Sequence, residues 1–423
     1  MSDSMNDEEK SLVPRLRFPE FREAGEWKEN KMGKVLKESP RPITMNEEKE
    51  YSLVTVKRRY GGVVSRGILK GKSIKVKSQF SLEENDFLIS KRQIVHCACG
   101  VVPKPLAGSI VSNEYSVLRA REGFDIFFLE HFSRQPIVSR SFLKCSIGIV
   151  IEKMLFKLND WLKEKFLFPP IAEQQKIADS LSSLDALIAA QADKLDALKT
   201  HKKGLMQQLF PREGETVPCL RFPEFRGAGE WEQTNLEQLV DFRSGGTPSK
   251  ANPAFWSGSI PWVSAKDMKQ LFLDDTEDHI STVAVDDGAK MASPGTLLML
   301  TRGMTLLKDV PICVLRRGMS FNQDVKALRP KKDMDGLFLA FSLLANLHRL
   351  LKMVDIAGHG TGKLNTDELK LFELVRPQSD EQQKIANCLS SLDTLIAAQS
   401  DKFDALKTHK KGLMQQLFPS PEA

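Results

Sequence analysis

The phrase "KTHKKGLMQQLFP" occupies residues 199–211 and returns letter for letter at 407–419. The match extends well beyond it. Residues 173–211 align with 381–419 at an offset of 208, departing only at Asp179/Asn387, Ser180/Cys388, Ala186/Thr394, Ala192/Ser400 and Leu195/Phe403. So long an internal match implies a duplicated structural unit. In the first copy Ile177, Leu181, Leu184, Ile188, Gln191, Leu195, Leu198, Lys202, Leu205 and Leu209 step alternately by four and three. That spacing is a heptad seam and predicts a coiled-coil helix. Pro169 and Pro170 precede the run and Pro211 follows it, so a helix of about 37 residues is expected, roughly 55 Å long. The second copy repeats the seam as Ile385, Leu389, Leu392, Ile396, Gln399, Phe403, Leu406, Lys410, Leu413 and Leu417. An apolar stripe of this length needs a partner, and each copy is the obvious partner of the other. The polar seam positions, two Gln and two Lys, read as devices that set register rather than as chemistry.

A second repeat has a different offset. "LRFPEFREAGEW" at 16–27 returns as "LRFPEFRGAGEW" at 220–231, shifted by 204. The order along the chain is phrase, variable region, helix, phrase, variable region, helix. Joined head to tail, this order forms a circle with two equivalent halves. Two copies of one scaffold about a pseudo-two-fold axis would then set the N-terminal phrase beside the end of the second helix. The variable regions, 28–168 and 232–376, share little sequence. A frame is kept while its two cargoes differ.

Charge separates those cargoes. The chain carries a net +6; residues 28–168 hold 26 Lys+Arg against 15 Asp+Glu, whereas 232–376 hold 18 of each. Within the basic region, "KRRYGGVVSRGILKGKSIKVK" at 57–77 contains eight basic residues and no acid. A solvated strand and turn would account for it. So would a ribbon that contacts phosphates, because counterion release makes such clusters effective on nucleic acid.

The remaining features exclude more than they suggest. The six cysteines show no CxxC pairing; His96, Cys97 and Cys99 lack a second half for a metal site, and reduced, partly buried thiols are expected. "FRGAG" at 225–229 mimics a methyltransferase cofactor motif, but its twin reads "FREAG", with Glu23 at the middle glycine. "NPAF" at 252–255 follows too closely for the alternating strands and helices of a nucleotide fold. "AGHGTGKL" at 357–364 has Ala357 and Leu364 where a Walker phosphate loop requires Gly and Ser or Thr. No nucleophile signature and no metal spacing of His is present, and no run reaches the roughly 18 apolar residues of a membrane helix. A cytoplasmic protein without membrane association is expected. Residues 1–13 read as an acidic, disordered leader.

Taken together, the paired "EQQKIA" helices (173–178 and 381–386), "FRSGGTPSKANPAFWSGSIPWVSAKDM" (242–268), "TRGMT" (301–305), "FNQDVKALRP" (321–330) and "GTGKLN" (360–365) resemble the specificity subunit of type I restriction-modification enzymes. "NDFLISKRQIVHCACGVVPKPLAGSIVSNEYSVL" at 85–118 is similar to target-recognition domains of the same family. The resemblance covers nearly the whole chain. It implies an α+β protein in which two α/β target-recognition domains, 14–168 and 212–378, are joined by long antiparallel coiled-coil helices at 169–211 and 379–423. Each domain would read one half of a split, asymmetric site on double-stranded DNA, and the helices would set the gap between the halves. The implied partners are two adenine-modifying subunits and restriction subunits that translocate and cut DNA. S-adenosylmethionine, ATP and Mg²⁺ would belong to those partners, leaving this chain without a cofactor, a metal or a catalytic residue.

Candidate DNA contacts in the first domain are Lys57, Arg58, Arg59, Tyr60, Arg66, Lys70, Lys72, Lys91, Arg92 and Gln93. Arg and Gln can pair bidentately with base edges, and Lys anchors phosphates. In the second domain the family turns nominate Ser244, Gly246, Thr247, Ser249, Lys266, Thr301, Arg302, Gln323, Asp324, Thr361 and Lys363. Two rival classes remain at this stage: a coiled-coil regulatory or interaction protein, and a stand-alone DNA methyltransferase.

Overall fold

The computed structural model describes residues 13–356 and 360–419. The expected leader therefore lies outside the described residues except for Val13, as do Ala357, Gly358 and His359 of the glycine-rich turn. The chain divides into two compact units, residues 1–192 with 401–423, and residues 193–400. Two helices, Ile171–Leu209 and Ser379–Gln416, each contribute one portion to each unit.

Every apolar seam residue predicted from the heptads is buried or half-buried, while most positions between them are exposed. In the first unit Ile177, Ala178 and Leu181 share a core with Leu417 and Phe418, and Asp185 accepts from Lys410 through both carboxylate oxygens. Residue numbers fall along one helix as they rise along the other, so the portions run antiparallel. The second unit repeats this arrangement. Leu209 and Phe210 pack with Ile385, Ala386 and Leu389, and Lys202 Nζ donates to Asp393 Oδ1 and Oδ2 at 2.6 and 2.7 Å. Both seam lysines thus close on an aspartate of the facing helix.

The repeated phrase fastens each unit in the same way. Leu16 N donates to Gln416 O at 3.0 Å in the first unit, and Leu220 N to Gln208 O at 2.9 Å in the second. This is the circular order expected from the two repeats. Arg17 Nε and Nη2 grip Glu173 at 2.8 and 2.7 Å; Arg221 grips Glu381 at 2.7 Å through the same two nitrogens. The carboxylate in turn holds each guanidinium above its usual pKa, by hydrogen bonding first and charge second. Gln174 Oε1 accepts from Asp125 N at 2.9 Å, as Gln382 Oε1 does from Asp335 N. Asp125 and Asp335 cap helices Ile126–Phe132 and Gly336–Ala345 by accepting from Phe128 N and Phe338 N, which satisfies orphan donors of the first turn.

The two variable regions prove to share an inner sheet. In the first unit its strand order is Leu36–Glu38, Tyr115–Ala120, Phe87–Ser90, Cys99–Val101; in the second, Val240–Ser244, Val325–Pro330, Leu297–Leu300, Ile312–Leu315, then Phe272–Leu273 at the edge. Register matches too, with Leu118 opposite Phe87 and Leu328 opposite Leu297. Phe87 and Ile89 face the helix-side core while Leu88 faces the opposite core, as the two-residue period of a strand covered on both sides requires.

The outer layers are unlike. The first unit carries a five-stranded sheet ordered Pro42–Ile43, Gln79–Ser81, Ile110–Ser112, Glu50–Val56, Val63–Lys70. The second carries the order His279–Ile280, Ile260–Val263, Met319–Phe321, Met291–Ala292, and a separate small sheet of Arg302–Gly303, Gly362–Leu364 and Val354–Ile356. Two stretches fold otherwise than their hydrophobic pattern suggests. The alternating stretch 73–80 pairs as a strand only from Gln79, because Gly71–Ser73 form a turn of helix and, of residues 73–78, only Ile74 inserts into a core. The helical stretch 336–354 breaks at Asn346, whose amide bonds Ser342 O, giving Gly336–Ala345 and Leu347–Lys352.

One internal substitution has a measurable consequence. His131 and Phe341 occupy equivalent turns of the capped helices. Phe341 lies 5.0 Å beneath Lys202 Nζ, whereas His131 is buried against Ser182, with Lys410 and Arg134 close by. Burial first, then those two cations, lowers the His131 pKa from 6.5 to about 4. The unfolded chain therefore takes up this proton near pH 6.5 and the native unit only near pH 4, so stability is lost as pH falls between them. His131→Phe should remove about 2 kcal/mol of the destabilisation between pH 7 and pH 5. Urea unfolding at both values checks it; equal pH dependence in the variant would assign the loss to other groups.

Candidate nucleic-acid interface

In the first unit the outer hairpin Glu50–Val56/Val63–Lys70 turns through residues 57–62. Arg59 and Tyr60 adopt left-handed backbone (φ 56° and 55°), and so does Cys97 (φ 57°) in the neighbouring turn. The two turns are zipped together: Arg59 N donates to His96 O at 2.8 Å and Tyr60 N to Cys97 O at 2.9 Å. Non-glycine residues hold this conformation at a cost, and the paired amides account for it here.

This zip brings sequence-distant candidates together. Arg58 Nε donates to Gln93 Oε1 at 2.7 Å, and Arg58 Nη2 to Glu152 Oε2 at 3.2 Å. Glu152 Oε1 lies 3.2 Å from His96 Nε2. Lys91 Nζ reaches Asn113 O at 2.9 Å and Arg92 Nε reaches Glu114 at 2.6 Å. Lys57, Arg58, Arg59 and Arg92 are exposed. Tyr60 differs: its hydroxyl donates to Ser133 O at 2.9 Å and its ring lies under Arg134, so it is tied into the frame. Lys70 and Lys72 lie at the far end of the hairpin beside Glu48, and Arg66 is exposed between the two ends. The cysteines are free thiols, and burial pushes Cys99 and Cys313 up to about 12.

In the second unit the family turns, that of Lys266 excepted, form one contiguous patch. Gly246 N donates to Phe321 O at 2.8 Å, and a Cβ at Gly245 would fall 2.2 Å from that same oxygen, so only glycine permits this approach. Thr247 Oγ1 donates to Gln323 Oε1, and Lys326 Nζ to Ser244 Oγ. Trp256 Nε1 and Trp262 Nε1 donate to Ser249 O and Gly246 O at 3.2 and 3.0 Å, fixing the turn from beneath. Buried Thr301 donates through N and Oγ1 to Asp324 O at 2.8 and 3.0 Å, and Leu364 N donates to Thr301 O at 2.9 Å. Arg302 pairs with Lys363 across two strands, and both side chains are exposed. Thr361 adjoins that strand. Lys266 is set apart, 2.9 Å from Glu277 and 3.0 Å from Asp278, whose hydrogen bonds raise its pKa.

The sequence reading missed Glu152, which orients Arg58, and the hairpin Ser146–Ile147/Leu155–Phe156 that carries it. The apolar run 147–151 has the composition of a buried strand, so the sequence carries no sign of its exposure.

Among the described residues no helix is long and apolar enough to cross a membrane. The family "Type I restriction modification DNA specificity domain" matches twice, over residues 20–200 and 228–408. The specificity subunit of the type I restriction enzyme EcoR124I/EcoR124II from Escherichia coli is 29% identical over 227 residues, 53% of this chain and 53% of that protein. The HindI specificity subunit from Haemophilus influenzae is 26% identical over 268 residues, 58% and 56% of the two chains. The chain thus spans about half the length of these curated relatives. Among solved structures, the type I S subunit from M. genitalium aligns with TM-score 0.63 at 13% identity, covering 97% of this chain and 100% of that one. A chain from a solved type I R-M system aligns with TM-score 0.53 at 19% identity, covering 93% and 98%. With both matches together occupying most of its length, the chain belongs to the type I restriction-modification DNA specificity family.

Proposed function

We propose that this chain is the DNA-reading subunit of a type I restriction-modification complex, and that its two units read different halves of one split site. The observation that carries this reading is the pairing of a common frame with unlike outer layers. Identical readers suit a palindrome; two readers that differ in topology suit two different words. The chain itself is non-catalytic in this reading. It docks two adenine-modifying subunits on the repeated helix surfaces and recruits restriction subunits, and those partners bring S-adenosylmethionine, ATP and Mg²⁺. Its place is the cytoplasm, on DNA. The boundaries 14–168 and 212–378 delimit the readers, with 169–211 and 379–423 as the spacers.

In the first reader the cluster of Lys57, Arg58, Arg59, Lys91, Arg92 and Gln93 supplies phosphate anchors and base-edge partners. In the second, with as many acids as bases, Thr247, Gln323, Arg302 and Lys363 are among the exposed groups, and hydrogen bonding carries more of the recognition. Arg58→Ala with Arg59→Ala is expected to weaken binding to duplex DNA and lower the slope of log affinity against log salt by about two. A salt titration by gel shift tests this, and an unchanged slope removes the 57–62 turn from the interface. Mapping methylated adenines in cells carrying the whole system tests the wider reading: a single-part or palindromic site would overturn it.

A further inference from the structure

The tip of the hairpin built on Ser146–Ile147 and Leu155–Phe156 exposes four branched aliphatics in five residues. Ile147, Ile149, Val150 and Ile151 are 63%, 104%, 53% and 55% exposed. The tip is nevertheless built rather than loose. Lys153 N donates to Val150 O at 2.8 Å and Met154 N to Ile151 O at 3.3 Å, while Phe156 N donates to Lys91 O at 2.9 Å and fastens the hairpin to the 91–93 turn. Gly148 passes so close to Met154 that a Cβ there would lie 2.9 Å from its Cα. Concentrated apolar exposure of this kind marks an interaction surface.

Its surroundings indicate the occupant. Glu152, at the foot of the tip, is held by Arg58 and faces His96, and Lys57, Arg92 and Lys153 are exposed nearby in the same connected set of turns. An apolar point with cations around its base is complementary to a polyanion that has an apolar interior. We propose that the Ile147–Ile151 tip is a wedge that enters a groove of the bound duplex and unstacks a base step. Wedges of this composition act that way, and cations beside them hold the flanking phosphates. The proposal rests on the DNA-reading function above and adds to it deformability as a source of specificity, because the sequence at the wedged step sets the cost of opening it.

The test uses the full chain without modification subunits, so that no base extruded by a partner contributes. The probe is a duplex carrying the mapped site with 2-aminopurine at successive steps of the first half-site. Wild-type protein should raise fluorescence at one step. Ile149→Ser with Val150→Ser, both solvent-facing, should abolish that rise and weaken binding about tenfold while leaving the salt slope unchanged. No rise with bound wild-type chain, or an equal rise with the variant, overturns the wedge and leaves the DNA reading intact. Failure of the wild-type chain to bind the duplex at all overturns the DNA reading instead. Vesicles of phosphatidylserine and phosphatidylcholine form the last arm: loss of vesicle binding by the variant, with DNA behaviour unaltered, would assign the tip to a lipid surface and also overturn the wedge.

Discussion

Replacing Arg17 with methionine should cost the first unit about 3–5 kcal/mol, because it strands a carboxylate that has no access to water. The side chains of Arg17 and Glu173 are 6% and 1% exposed, and two parallel hydrogen bonds join them. With the guanidinium gone, Glu173 keeps, among the described residues, only the indole of Trp27 at 3.3 Å. Arg221→Met should act likewise on the second unit. There Trp231 Nε1 is buried without a hydrogen-bond partner among the described residues, so Glu381 loses its donors more completely. Urea unfolding followed by tryptophan fluorescence measures both. Arg17→Met combined with Glu173→Leu should destabilise less than Arg17→Met alone, since apolar replacement of both partners leaves no buried charge, although the Trp27 indole loses its acceptor. A double variant worse than the single would show that the pair contributes attraction beyond mutual neutralisation.

Inserting one heptad into each helix, between Asp185 and Lys202 and between Asp393 and Lys410, should lengthen the tolerated gap between half-sites by about three base pairs. Seven residues add roughly 10.5 Å of helix, against 3.4 Å per base pair. A whole heptad keeps the seam on one face, and equal insertions let each lysine of the Asp185–Lys410 and Asp393–Lys202 pairs keep its aspartate. Three base pairs also turn the duplex by roughly a third of a turn, so slower methylation is expected along with the longer gap. Neither half-site word should change. Mapped methylation showing the original gap would mean that the helices do not measure the spacing.

The frame was legible because its signals are local and written twice. A four-three step from Ile177 to Leu209 identifies a seam without reference to the rest of the chain, and the twin phrases at 16–27 and 220–231 announce where each unit closes. The shared inner sheet was not legible. Its equivalent pairs, Phe87 with Leu118 and Leu297 with Leu328, preserve only apolar character, and letters compared along the chain cannot reveal that these strands meet in the same register. The exposed tip at 147–151 escaped for the opposite reason. A run of Ile and Val reads as interior, and only the layout of neighbouring elements decides whether anything covers it. Candidate contacts fared between these limits. Basic residues at 57–59 and 91–92 could be listed from charge, but their convergence depends on the left-handed turns at Arg59, Tyr60 and Cys97, and Tyr60 proved to face the frame.

The fastening of each unit uses Arg17 and Glu173, or Arg221 and Glu381, together with the capped helices and the inner sheet. Apart from Tyr60, and Ser244 at the end of an inner strand, no candidate base-facing residue among the described residues takes part in it. Outer layers can therefore differ between the units while the fastening stays the same, provided each still covers the inner sheet, as Val54, Val56 and Val63 cover Leu88 in the first. Under the proposed function, a new half-site word would call for a new outer layer on an unchanged frame.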